Sequence, residues 1–403
     1  MSGTDGQGAS TPGGAGARLE VVDMLRGFAL AGLFLVHMIA SYELYWNAPT
    51  GGPVVDTVFL LLLGKSFSLL ALCFGFSFFI LMDNAERRGV DFTARFAWRL
   101  TVLFAIGTLH SLVFRGDIIQ LLAAMGFALL ALNRIRDNRL LLWIALFCLI
   151  GPTLWIQMAA GAGGYDWANR PAGYGHDPAM PIYVRGSFLD VLSANLTYGQ
   201  APKWAFLWES GRLFVILGLY IVGLVLGRIG FFSRPEAFVR GRRIALAIAV
   251  PLTVLLWWAK SEGYNRFWAL RLGTGADRAF ATIANMWFEL AAMAVWALVL
   301  IAAWQWRPAQ RLLQVFAPAG RLTLTYYFGQ SLVFIPVFYG FGLGLWDDWS
   351  AGTRLMVALL GVAAQLAFAA WWLNRFRYGP IEWLWRAATY TTWNIPFRRR
   401  TPA

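Results

Sequence analysis

The sequence predicts an all-α, polytopic transmembrane bundle of about ten spans with both termini on the cytoplasmic side, and three observations predict it. Of its 403 residues, 59% belong to the AVILMFWYC set and 14% are charged, with a mean hydropathy of +0.56. Soluble domains run near 45–50% apolar and about 25% charged. Apolar runs recur at the length of roughly 20 residues that a helix needs to cross a bilayer. The basic residues, finally, are unevenly shared between the segments that connect those runs. A cytosolic globular enzyme is excluded by this composition.

Taken in order, the apolar runs cover 24–41, 57–82, 97–115, 118–132, 139–160, 210–231, 244–260, 280–304, 322–345 and 354–374. Residues 1–17 (MSGTDGQGASTPGGAGA) precede them as a Gly/Ser-rich tail expected to be disordered. The first run resembles the core of a signal peptide, but no small-residue cleavage site follows it, so it is expected to be retained. The fourth run is the shortest. Deleting it would invert the orientation of everything after it and spoil the charge asymmetry. With the N-terminus inside, 22 of the 34 Lys and Arg residues fall on inner segments and 10 on outer ones, as the positive-inside rule requires. The net charge of +13 therefore reports orientation and contact with anionic lipid headgroups in a bacterial inner membrane, and nucleic acid is excluded as a partner.

The transmembrane domain extends over 18–377. Between its fifth and sixth runs lies a long outer stretch, 161–209, rich in Gly, Pro, Tyr and Trp. Connections of this length are functional or disordered; its aromatic content favours a lid or recognition surface over a loose connector. Residues 378–403 mix Trp with Arg and are expected to lie on the cytoplasmic interface. Cys73 and Cys148 sit inside apolar runs as small hydrophobes, which suggests neither a disulfide nor a metal site.

Ionisable groups at membrane depth are costly and mark candidate sites. In DMLRGFALAGLFLVHM, Asp23 and Arg26 are three apart and can pair. His37 stands eleven residues after Arg26, a rise of about 16 Å that returns to within about 20° of the same helix face. Arg99 and His110 repeat the spacing on a helix of the same direction. The two imidazoles would then share one level below the outer surface. They form either one site or two separately satisfied buried histidines. Lys65 either joins them or snorkels outward, while Glu289 should face the bundle, pairing with a cation or moving a proton. Asp117, in the turn after Arg115, is expected to cap the following helix. His176 falls in the long outer stretch, where an exposed histidine is unremarkable.

Six motifs in order, DMLRGFALAGLFLVHM, GKSFSLLALCFGFSFF, GTLHSLVFRGDIIQLLAAMGFALL, GRLTLTYYFGQSL, FYGFGLGL and FRYGPIEWLWR, resemble the YeiB-like family, domain of unknown function 418, over nearly the whole chain after residue 18. That family is distantly similar to membrane acyltransferases, among them the acyltransferase-3 O-acetylating enzymes and the lysosomal heparan glucosaminide N-acetyltransferase. The acyltransferase-3 enzymes carry an Arg and a His with ten residues between them on their first helix, and Arg26 and His37 match that spacing. Many YeiB-like sequences carry Asn in place of His37, and this departure strengthens the similarity of the present chain to the acyltransferases.

The resemblance implies transfer of an acyl group from cytoplasmic acyl-CoA, such as acetyl-CoA, to a hydroxyl or amine of a glycan or lipid-linked acceptor at the outer face. It implies no bound cofactor or metal. His37 and His110 are then the candidate catalytic residues. Arg26, Arg99, Lys65 and Glu289 are candidates for binding substrate or acyl-CoA, and Asp23 and Asp117 for structural pairing. The rival is a transporter of a small or lipid-linked solute, which intramembrane charges suit equally well, or a membrane protein without catalysis.

Overall fold

A computed structural model of the chain describes residues 19–172, 178–263 and 274–399. The tail 1–17 and His176 lie outside the described residues. The described chain is helical, with a single isolated β-bridge between Phe376 and Arg398. In order the helices are α1 Glu20–Ile39, α2 Pro53–Leu62, α3 Lys65–Glu86, α4 Thr93–Val113, α5 Ile119–Leu132, α6 Asn138–Ile150 and α7 Pro152–Ala162. Four short helices fall in the long stretch 161–209, α8 Asp166–Asn169, α9 Met180–Arg185, α10 Phe188–Thr197 and α11 Gln200–Glu209. There follow α12 Arg212–Arg228, α13 Val239–Trp258, α14 Thr274–Trp304, α15 Arg307–Leu313, α16 Phe316–Arg321, α17 Thr323–Phe338, α18 Ala351–Arg375 and α19 Pro380–Tyr390.

Each of the ten apolar runs contains helix, but they are not ten equal spans. Six segments are long and apolar enough to cross a membrane: Glu20–Ile39, Pro53–Glu86, Thr93–Val113, Pro235–Ser261, Gly275–Trp304 and Ala351–Arg375. Two further candidates are bent pairs, α6 with α7 at 41° and α11 with α12 at 64°. Gly151 and Gly211, at φ of 79° and 70°, make these bends, because the left-handed backbone they adopt is costly for any residue with a Cβ. The runs at 118–132 and 322–345 yield α5 and α17, of 14 and 16 residues. At 1.5 Å per residue these rise about 21 and 24 Å, short of a hydrocarbon core near 30 Å. By length and composition the described chain thus offers six to eight spans where the sequence suggested ten.

Burial orders the bundle. The apolar window of α1 is 78% buried and that of 235–261 is 0% buried, so α1 is the central post and α13 a peripheral, lipid-facing helix. Ile248, Leu255, Trp143 and Leu360 are among the large apolar side chains left exposed, which a bilayer covers and water would not. Close helix contacts rely on small residues, as in other membrane bundles. A Cβ on Gly75 would meet the Tyr220 backbone and one on Gly223 the Leu72 carbonyl, so α3 and α12 touch backbone to backbone.

The long stretch 161–209 is docked rather than loose over its described residues. Asn195 Nδ2 donates to the Leu112 carbonyl at 2.8 Å, Tyr183 donates its hydroxyl to Asn195 Oδ1 at 2.6 Å, and Gly340 N donates to the Tyr183 carbonyl at 2.9 Å. These bonds tie α9 and α10 to the end of α4 and the turn after α17. At the opposite end α19 is pinned by Glu382, which accepts from the amides of Leu324 and Thr325 at 2.7 and 3.1 Å and from the Thr325 hydroxyl at 2.5 Å. Burial pushes the Glu382 carboxyl up from its usual pKa, and these hydrogen bonds oppose the push.

Glu382→Ala is expected to strip the first turn of α17 of its acceptor and lower stability by about 1–3 kcal/mol. Glu382→Gln keeps a carbonyl for the two amides and should lose less. Thermal midpoints in detergent check the order, wild type above Gln above Ala.

Candidate functional site

Two cavities lie at opposite ends of the bundle. Helix α3 lends Ser68 to one and Asp83 to the other, and α12 likewise lends Arg212 and Arg228. The larger, of 1760 Å³, is lined by Arg26, Arg99, Arg134, Arg228 and Arg386 among other residues, and reaches inward to Leu103, Ile118 and Tyr327. Arg26 pairs with Asp23 at 2.9 Å and also donates to Ser77 on α3. The guanidinium of Arg99 lies 3.4 Å from the ring centroid of Trp385, whose Nε1 donates back to the Arg99 carbonyl at 2.9 Å. The structure therefore brings Arg26 and Arg99 to one cavity, with the C-terminal helix α19 as one wall.

Beyond the inner end of that cavity sit both histidines. His37 lies 5.3 Å from the Phe114 ring and 6.5 Å from Tyr327; His110 lies 6.0 Å and 5.2 Å from the same two rings. Neither imidazole lines the cavity. Tyr327 does, and forms the partition between them and it. The Tyr327 hydroxyl accepts from the Ile118 amide at 3.2 Å.

Each histidine is met by a carboxylate from the loop after its own helix. His110 Nδ1 is 2.8 Å from Asp117 Oδ1, with side-chain exposures of 1% and 0%. The other Asp117 oxygen accepts from the Gln120 amide at 3.1 Å. Asp117 thus caps α5 as its position suggests, and in addition grips His110. A carboxylate on Nδ1 holds the ring proton there and leaves the Nε2 lone pair available. Gln120 in turn receives Lys203 Nζ on its Oε1 at 2.6 Å, so α11 buttresses the same turn.

His37 Nδ1 is 3.9 Å from Glu43 Oε1, and its ring stacks on Tyr42 at 5.5 Å. Tyr42 and Glu43 belong to three successive left-handed residues, Ser41, Tyr42 and Glu43, at φ of 46°, 50° and 80°. Such backbone costs about 1–3 kcal/mol per residue and persists where surroundings force it. Here Arg354 does so, donating to the Ile39 carbonyl at 2.9 Å and to Ser41 Oγ at 2.6 Å. Burial raises the Glu43 carboxyl above its ordinary pKa, while Arg115 and Arg212 pull it down. Among the described residues His110 Nε2 and both nitrogens of His37 have no hydrogen-bond partner. Three buried, unengaged ring nitrogens beside one another are costly unless used.

Lys65 and Glu289 are not part of this arrangement. Lys65 Nζ donates to the Phe59 carbonyl at 3.4 Å and lies 4.6 Å from the Phe288 ring centroid. Glu289 accepts from Asn285 at 3.0 Å and lines the smaller cavity, of 330 Å³, with Arg212 and Arg278. The six polar residues that the sequence singles out thus separate into Arg26 and Arg99 at one end, the histidines between, and Lys65 with Glu289 at the other. Glu43, Tyr327, Lys203 and Arg212 were not legible as site residues, because each reaches its place only through the way its turn or helix packs against the others.

These features define a multi-span helical membrane protein with a polar cavity at each end and a histidine–carboxylate cluster between. Residues 226–392 match the family described as protein of unknown function (DUF418). The chain is 25% identical to "Uncharacterized protein YxaH" of Bacillus subtilis (strain 168), covering 95% of this chain and 97% of that protein. It is also 25% identical to "Uncharacterized protein YeiB" of Escherichia coli (strain K12), over 92% and 96% of the two. An "Uncharacterized 39.9 kDa protein in amylase 3'region" of Bacillus acidopullulyticus is 24% identical over 93% and 94%. The chain is thus similar to DUF418 over residues 226–392 and to YxaH and YeiB over nearly its whole length.

Proposed function

We propose that the chain is an inner-membrane acyltransferase that moves an acyl group from cytoplasmic acyl-CoA to a hydroxyl or amine acceptor at the outer face. The observation that carries this reading is the Arg-rich cavity of 1760 Å³ ending at Tyr327, directly against His37 and His110. Its volume exceeds the roughly 300–1,000 Å³ of ordinary small-molecule pockets. The positive-inside rule sets its mouth on the cytoplasmic side, where Arg99 and its neighbours suit the phosphates of a nucleotide thioester. In the transfer, His110 Nε2 takes the proton from the acceptor hydroxyl as oxygen attacks the thioester carbon. The C–O bond forms, the C–S bond breaks, and the proton passes to the sulfur to give free CoA. His37 orients the acceptor or donates to the developing oxyanion.

Purified protein incubated with labelled acetyl-CoA and a glycan or lipid acceptor should form labelled product, and His37→Ala and His110→Ala should lose it. Unchanged transfer in both variants would sink the assignment of roles. The two cavities on either side of a closed partition also suit an alternating-access carrier. That reading gains if solute crosses sealed vesicles with no transfer of label.

A further inference from the structure

We infer that the 330 Å³ cavity is a binding site for a polyol carrying a phosphate ester, free or as a lipid headgroup. The inference deepens the proposed function by giving the acceptor's chemical class, yet its binding evidence stands without any transfer. The cavity has its own charge ledger. Glu289 is engaged by Asn285 at 3.0 Å and is flanked by Lys65 and Lys260, which lie 4.6 and 5.1 Å from the centroid of the adjacent Phe288 ring. Arg278 is anchored by its Nη2, which donates to both the Ala168 and Arg170 carbonyls, at 3.3 and 2.7 Å.

Arg212 remains. It makes no ion pair and no side-chain hydrogen bond among the described residues. Its guanidinium lies against the rings of Phe206 and Phe67, 4.9 and 5.6 Å from their centroids. Aromatic faces hold such a plane and leave its N–H edge to donate, and that edge fits an oxyanion bidentately. Arg212 is also the first residue of α12, a 17-residue helix whose first-turn amides have no intrahelical acceptor. The charged N–H edge, at the positive end of that helix, suits the oxygens of a phosphate. Ser68 and Asn285, also in the lining, supply partners for neighbouring hydroxyls. The volume sits at the low end of the roughly 300–1,000 Å³ of small-molecule sites, enough for a small polyol phosphate but not for a nucleotide thioester. Arg212 also pulls on the Glu43 carboxyl, and Glu43 stands 3.9 Å from His37.

The test is equilibrium binding to the purified, detergent-solubilised full chain, with glycerol 3-phosphate, glycerol and inorganic phosphate as probes. Glycerol 3-phosphate should bind, and more tightly than either other probe. Arg212→Gln should weaken it by about tenfold or more, the loss of a charge-assisted contact, and Arg212→Lys by less. Competition by phosphatidylglycerol but not phosphatidylcholine in nanodiscs assigns the site to a headgroup, and its absence assigns it to a free phosphate ester. If Arg212→Gln does not fold, Asn285→Ala and the ranking of the three probes on the wild type decide. Equal binding of glycerol and glycerol 3-phosphate, or no binding of any phosphate probe, overturns the inference. Binding without acyl transfer leaves this site standing and removes only the proposed function; transfer to an uncharged acceptor with no phosphate binding does the reverse.

Discussion

The proposed acyl transfer is expected to fall about 10²–10⁴-fold in His110→Ala, the range that a positioned general base supplies, with the KM for acyl-CoA little changed. The argument is geometric. Asp117 fixes the ring and its tautomer through Nδ1, at 2.8 Å, and Nε2 has no other partner among the described residues. Asp117→Asn should therefore cost nearly as much as removing the ring, since an amide that donates to Nδ1 would move the ring proton to Nε2. Glu43→Gln should cost less, because Glu43 meets His37 at 3.9 Å and does not fix its tautomer by a hydrogen bond. Arg99→Ala should act differently, raising the KM for acyl-CoA with a smaller effect on kcat, because Arg99 lines the cavity and lies away from the imidazoles. Initial rates at varied acyl-CoA separate these outcomes.

The second large effect is on folding. Helix α16 crosses the start of the central α1 with backbone against backbone. A Cβ on Gly320 would strike the Asp23 carbonyl, and one on Gly27 the Phe316 carbonyl. Each glycine faces the other helix's main chain, so neither clash is relieved by turning a side chain. Gly320→Ala and Gly27→Ala are each expected to cost at least the 1–3 kcal/mol typical of overpacking, roughly, and to lower the yield of monodisperse protein. They should also disturb the Asp23–Arg26 pair on the same turn of α1. Gly329→Ala is the control, since nothing lies within 4 Å of a Cβ there. It should leave the thermal midpoint near the wild-type value. Size-exclusion profiles after a temperature ramp report all three.

Much of this architecture was legible in the sequence. Apolar run length located every long helix, and the eleven-residue spacing put Arg26 and Arg99 at one end with His37 and His110 one stripe further on. The Asp23–Arg26 pair follows from helical periodicity alone. Span count was less legible, because hydropathy does not register a bend at Gly151 or Gly211 and counts a short helix such as α5 like a full one. Helix adjacency was not legible at all. That His37 and His110 share the rings of Phe114 and Tyr327, while Glu289 lines another cavity and Lys65 lies against Phe288, is settled by which helix packs on which, and no local pattern encodes it. Asp117 shows the limit most clearly. Its position predicts a helix cap, which it is, but its second oxygen reaches His110 only because the turn folds back on α4.

The most direct test of the central claim is transfer in sealed proteoliposomes of uniform orientation, with labelled acetyl-CoA supplied on one side and acceptor on the other. The account predicts product only when acetyl-CoA is on the side of the Arg-rich cavity and acceptor on the opposite side, with loss of product in His110→Ala. Product formed equally from either side, or undiminished in His110→Ala, would contradict it.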